Sequence, residues 1–231
     1  MSKLPNWDLS ALYKNPSDPK IFNDLTQAKK LATDFSSKFR GKINEKITPL
    51  QLKKATEAYE SLFLLALKPV DYAALIHSTD SLNPALGVLL QRTQQFFLEI
   101  RSKMLFFELE MSKISDAKLS RLASTELLSN YKHFLETILK TKKHKLKESA
   151  EKIFNDKSLI TSAFVRLFNQ HHSKKKYFIK LKGKKIQASQ EDIMSYLEDE
   201  NRSARKAASE AFSSGVKEDE QMLALIYNTI I

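Results

Sequence analysis

The residues equipped to do chemistry in this chain are few and scattered. Its five histidines are His77, His133, His144, His171 and His172, and none is followed by glutamate. The H-E-x-x-H arrangement, in which two helical imidazoles share a metal ion, is therefore absent. His171 and His172 are neighbours; on a helix adjacent side chains point about 100° apart, which suits joint ligation poorly. The pair reads as solvated residues at a helix end. His77 lies in the apolar segment YAALIHSTD and reads as a partly buried structural histidine. The absence of cysteine excludes disulfides, thiolate metal sites and a cysteine nucleophile, and fits a reducing compartment. Four widely separated glycines exclude a phosphate-cradling loop. Glu108 and Glu110, in LFFELE, border an apolar stripe and read as anchors for a neighbouring loop or strand rather than as an acid–base pair. These residues make up no catalytic constellation and no metal-ligand set.

Basic clusters are the other chemical feature. The net charge is +11, and 31 of the 38 basic residues are lysine. Arginine suits bidentate recognition of phosphates and bases, whereas lysine is more often a solvated point charge. Two runs stand out, KTKKHKLKE (140–148) and HHSKKKYFIKLKGKK (171–185). The second interleaves Tyr177 and Phe178 with lysines, the mixture that contacts a nucleic-acid backbone and stacks on bases. It also reads as a solvated hairpin whose lysines block edge-to-edge pairing, and that reading is preferred.

The elements that position these residues are helical. Three starts pair a capping residue with a following proline: Asp18-Pro19, Thr48-Pro49 and Asn83-Pro84. Thr48 to Gln51 forms a capping box. Phe22, Leu25, Ala28, Ala32, Phe35 and Phe39 recur every three or four residues, an amphipathic helix with Gly41 as its C-terminal cap. A second helix is expected from about 49 to 67, stopping at Pro69. A third is expected from Pro84 to about 112, with apolar stripes on two sides (Phe96, Ile100, Phe107 and Leu98, Leu105, Leu109) that place it centrally in the core. Helices near 115–123, 131–140, 146–156 and 160–170 follow. KKYFIKLKGKKIQAS predicts strands near 176–181 and 184–188 turning at Gly183. Ser189 and Asn201 open the last two helices. The class is all-α: a multi-helical array with one small β-hairpin near 176–188. The longest apolar run, 62–67, is too short to span a bilayer and the first residues show no secretory signal, so no membrane partner is expected and the cytoplasm is the default.

Several stretches together resemble one family. LPNWDLSALYKNPSDP (4–19) is similar to the W-D-L-S-x-L-Y opening of oligoendopeptidase F-type zinc metallopeptidases. LFFELEMSKISDAKL (105–119), YKHFLETILKTKKHKLKESAEKIF (131–154), SAFVRLF (162–168), the hairpin with its one Gly183, and DENRSARKAASEAF (199–212) follow in the family's order.

The resemblance implies an N-terminal helical region over 1–113, an oligoendopeptidase F-type helical region with the hairpin over 114–200, and the first helix of a catalytic region over 201–231. In the family, this part walls a deep channel that admits short peptides, and zinc is held by an H-E-x-x-H helix and a glutamate further along. Neither is present here, so no zinc ligand or general base carries over and the chain alone is expected to be inactive. The last residues, QMLALIYNTII, are apolar at helical spacing without a stop signal; they are expected to meet helices of a remaining catalytic part. Two other readings stay open, a basic helical module for nucleic acid and a scaffold that pairs through its last helix.

Overall fold

The computed structural model describes residues 8–181 and 183–230, with the side chain of Ile230 excepted. Leu4 to Trp7, Lys182 and Ile231 lie outside the described residues, and with them part of the W-D-L-S stretch.

Capping chemistry starts the helices where the sequence places it. The Asp18 carboxylate accepts the Lys20 amide at 2.9 Å, and α1 runs Lys20–Phe39. Thr48 and Gln51 exchange the two hydrogen bonds of a capping box ahead of α2, Pro49–Thr79. The Asn83 side chain accepts from the Ala85 amide at the head of α3, Pro84–Met104. The remaining elements of the first part are α4 (Phe106–Ser112), α5 (Asp116–Ala123), a 3-10 helix (Glu126–Tyr131), α6 (Lys132–Thr141) and the long α7 (Glu148–Lys174). After α7 come β1 (Tyr177–Leu181), β2 (Lys184–Ala188), α8 (Gln190–Leu197), α9 (Arg202–Glu218) and α10 (Glu220–Ile230). The chain is all-α with one antiparallel two-stranded hairpin, as its pattern predicts.

Four boundaries differ from the sequence pattern, each for a packing reason. α2 does not stop at Pro69 but runs through it, with Pro69 buried. The proline removes one backbone hydrogen bond, but flanking residues on both sides of it, Leu62, Ala66, Tyr72 and Ala73, are buried, and that burial outweighs one lost bond. The third helix divides at Leu105, whose backbone stays right-handed helical, so the break is a slight irregularity. The helices expected at 146–156 and 160–170 are one: no glycine or proline interrupts 148–174, and Asn, Asp and Ser cost only about 0.5–0.7 kcal/mol each in a helix. The last helix divides at Asp219, which closes α9 in a non-helical conformation.

The structure forms two compact units, one ending at Leu159 and one beginning at Ile160, with the division inside α7. The core of the first is aromatic. Phe35, Phe106 and Phe107 are buried, Phe35 lies 5.5 Å from each of the other two, and Tyr59 stacks on Phe107 at 4.8 Å. The second unit packs α8 and α9 on the hairpin: Tyr177, Ile179, Ala188, Ile193 and Ala208 form its core. Gly215 of α9 lies flat against the Tyr177 ring, where any Cβ would collide with it. No helix among the described residues is long and apolar enough to cross a membrane.

Candidate functional site

The two carboxylates of LFFELE do hold neighbouring elements. Glu110 accepts the amides of Gly41, at 2.8 and 3.0 Å, and Ile43, at 3.3 Å. It thus fastens the loop after α1, where Gly41 takes a positive φ of 78°. Its neighbour Glu108 accepts the Tyr59 hydroxyl at 2.9 Å and the Lys145 ammonium at 2.8 Å. Burial pushes the Glu108 carboxyl up, but the Lys145 and Tyr59 hydrogen bonds more than reverse this and hold it below the usual glutamate range. Glu110→Ala is expected to lower stability by about 1–3 kcal/mol, since two loop amides lose their acceptor at once. Urea denaturation followed by circular dichroism checks this; a midpoint equal to the parent's shows that the loop holds without the carboxylate.

The basic clusters come apart on inspection. In the first, Lys142 donates to the Ile114 carbonyl at 2.7 Å and to Asp116 at 2.6 Å, and Lys145 is committed to Glu108. These lysines tie elements of the protein together. In the second, the Lys175 side chain is only 9% exposed and bonds Asp219 at 2.8 Å and Glu218 at 3.2 Å. The hairpin carries exposed basic surface. Lys180 sits directly opposite Lys185, and Phe178 opposite Gln187, on one face. Phe178 is 55% exposed, with the Lys185 ammonium 4.5 Å from its ring centre.

The histidines correct one expectation. His172 is not solvated: it is buried at 6% exposure. Its ring packs on Phe168 at 4.1 Å, its Nδ1 lies 3.3 Å from the Tyr177 hydroxyl, and its Nε2 has no partner. Burial pushes its pKa down. His171 pairs with Asp219 at 2.8 Å. The turn of α7 that carries them is packed rather than frayed, because β1 returns beside it and brings Tyr177 back. His77 is buried, with Nε2 unpartnered, while His133 is exposed. Asp219 escaped the sequence reading; it lies 44 to 48 residues from its partners, and no local pattern marks it.

Among the described residues no three His, Asp or Glu side chains gather as a metal ion requires. The described residues thus offer no set of the three or four ligands that zinc takes.

Two large apolar residues of the last helix are exposed and others are half-buried. Leu225 and Tyr227 are 65% and 66% exposed. Val216, Leu223, Ala224, Ile226 and Tyr227 line an open groove of about 960 Å³, with Lys217 and Glu220 at its edge.

Compared with known proteins, residues 110–175 match the family described as Oligopeptidase F. In fold, 91% of the chain overlays on 42% of oligoendopeptidase-F from Enterococcus faecium, with a TM-score of 0.69 and 20% identity. Likewise 98% of it overlays on 39% of a Chlamydophila abortus protein assigned as a peptidase, with a TM-score of 0.50 and 16% identity. No curated protein matches the chain. The chain spans about two fifths of the length of the solved structures that it matches. It is similar to the N-terminal part of oligoendopeptidase F, in sequence over 110–175 and in fold over most of its length.

Proposed function

We propose, from this likeness to the N-terminal part of oligoendopeptidase F, that the chain is the channel-wall part of a zinc metallopeptidase acting on short peptides. Residues 1–113 and 114–200 form the helical wall in this reading, and 201–231 lead into a catalytic region supplied by the remaining part of the peptidase. The cytoplasm is its compartment. The observation that carries the proposal is the agreement of two independent likenesses, the family match over 110–175 and the overlay of 91% of the chain on oligoendopeptidase-F. The open apolar groove on α10 supports it, as a seat for helices of the remaining part.

Zinc, when bound in such a peptidase, polarises the scissile carbonyl and activates the attacking water; this chain contributes wall and seat, not ligands. The chain alone is therefore expected to leave short peptides intact. The test uses a quenched fluorescent peptide with added zinc. The expected result is no cleavage by the chain alone, and chelator-sensitive cleavage once a separately expressed H-E-x-x-H part of an oligoendopeptidase F is added. Chelator-sensitive cleavage by the chain alone overturns the proposed inactivity; failure of the two parts to associate removes the support for the groove as their seat.

A second reading, binding of nucleic-acid phosphates, rests on one observation: exposed Phe178 among the unpaired lysines of the hairpin face. Phosphate contacts weaken steeply with salt, so an absence of retention on single-stranded nucleic acid at low salt ends it.

A further inference from the structure

A pocket on the outer side of α2 carries chemistry that the peptidase reading does not use. It measures about 420 Å³ and lies between α2 and the segment formed by the 3-10 helix and α6. Tyr59 and Phe63 enter it from one side, Tyr131 and Phe134 from the other. Tyr59 is a fixed platform: it stacks 6.1 Å from Phe63, 6.3 Å from Phe134 and 4.8 Å from Phe107, and its hydroxyl is held by Glu108. The pocket wall is therefore preorganised by the core behind it.

Its one carboxylate is Glu60, exposed at the rim. One Glu60 oxygen accepts the Tyr131 hydroxyl at 2.7 Å, and no described residue pairs with the other. No lysine or arginine lines the pocket, in a chain of net charge +11; its one basic side chain is His133. Glu57, three residues before Glu60, reaches only Lys53, at 3.9 Å. The Tyr131 phenol senses this local negative field: it is pushed up to about 12, first by the Glu60 hydrogen bond, then by burial and by the charges of Glu60 and Glu57.

A ligand that suits these walls brings positive charge to the rim and apolar surface to the rings. We propose that the pocket binds an organic cation, an ammonium or guanidinium group on an apolar stem, with the charge on Glu60 and the stem against Phe63, Tyr131 and Phe134. The cation then gains a charge-assisted hydrogen bond and the faces of electron-rich rings. A bare metal ion is a poor occupant, because hard cations require several oxygen ligands, carboxylates above all, and the pocket has one carboxylate, with one oxygen already taken by Tyr131. Anions are repelled by Glu60. This site lies wholly in the first unit and stands independently of the peptidase proposal. The same chemistry is presented by a free amine and by the lysine or arginine side chain of a peptide.

Calorimetric titration of the full chain distinguishes these. The probes are phenethylammonium, its neutral counterpart 2-phenylethanol, and a phenylalanine dipeptide, acetylated and amidated, ending in lysine or in norleucine. Phenethylammonium is expected to bind about ten-fold more tightly than the alcohol, the size of effect that one charge-assisted contact gives. Glu60→Gln, at an exposed position that leaves the fold intact by circular dichroism, is expected to abolish that ratio without changing the alcohol's affinity. A matching preference for the lysine dipeptide over the norleucine one assigns the cation to a peptide side chain; binding of the free amine with no such preference assigns it to a small amine. Equal affinity for amine and alcohol, no saturable heat with either, or an unchanged ratio in Glu60→Gln overturns the proposal.

Discussion

Replacing Phe107 by alanine is expected to lower the stability of the first unit by about 3–5 kcal/mol, the range for a large aromatic removed from a close-packed core. Phe107 is fully buried. Its ring stacks 4.8 Å from Tyr59 and meets Phe35 edge-on at 5.5 Å, so its loss opens a cavity that touches α1, α2 and α4 together. The rings around it are held from behind, Tyr59 by Glu108 and Phe35 by Phe39 and Phe106, which limits collapse into the gap. Against the 5–15 kcal/mol that typically separates folded from unfolded domains, such a loss of about 4 kcal/mol is large. Urea denaturation followed by far-ultraviolet circular dichroism measures it. Phe178→Ala is the control: that ring is 55% exposed, and its removal is expected to change stability by about 0.5 kcal/mol or less. Equal effects of the two substitutions show that α4 does not pack as described.

The second large effect belongs to Asp219. Its carboxylate, buried at the junction of α9 and α10, receives the Lys175 ammonium and the His171 ring together. Asp219→Ala leaves the Lys175 side chain, itself only 9% exposed, with Glu218 as its remaining partner, and Glu218 is 71% exposed. Removing one member of a buried pair strands the other charge in a poorly solvated place. A loss of about 2–3 kcal/mol is expected in the second unit. Asp219→Asn keeps the shape but not the charge, and is expected to fall between the parent and the alanine variant.

The same group gives a pH dependence with a definite sign. Burial pushes the Asp219 carboxyl up, and the Lys175 and His171 contacts outweigh it, so the folded value lies below the ordinary 3.8. Its contribution is present above that ordinary value and is lost as pH falls through the depressed one. His172 acts at milder pH. Burial depresses it below its ordinary 6.5, with Asp219 drawing it up and His171 and Lys175 pressing it down. The fold favours its neutral ring, so this contribution is complete above 6.5 and erodes as pH falls below it. Thermal melts from neutral to acid pH are expected to show a first decline below about 6.5 from His172 and a second below about 3.8 from Asp219. Glu108, also held below its ordinary range, contributes in the acid window, so Asp219→Ala is expected to shrink the second decline rather than abolish it. A melting curve for that variant that falls through the second window as steeply as the parent's assigns the acid loss to other carboxylates.

Much of the architecture was legible because its causes are local. Thr48 with Gln51, Asn83 and Ser189 with Asp192 cap helices through hydrogen bonds made within three residues. The hairpin was legible because β-branched and aromatic residues flank Gly183, whose φ of 80° suits glycine. Pro69 was misread because its cost is local while the burial that offsets it comes from distant elements. The double identity of α7 was misread for a related reason, since a weak local propensity at 155–158 yielded to a continuous helix.

The sequence by itself determined the all-α class, the hairpin, the anchoring role of Glu108 and Glu110 and the apolar face of the last helix, since composition, periodicity and capping spell these out along the chain. Only the tertiary structure decided which charges are free and which are spent. Lys142, Lys145 and Lys175 looked like the solvated lysines beside them, yet each is consumed by a carboxylate 26 to 44 residues away. Glu60 looked like any surface acid, yet it keeps an oxygen open beside four aromatic rings. Charge pairing acts across space over a few ångströms, and a chain brings such groups together only by folding.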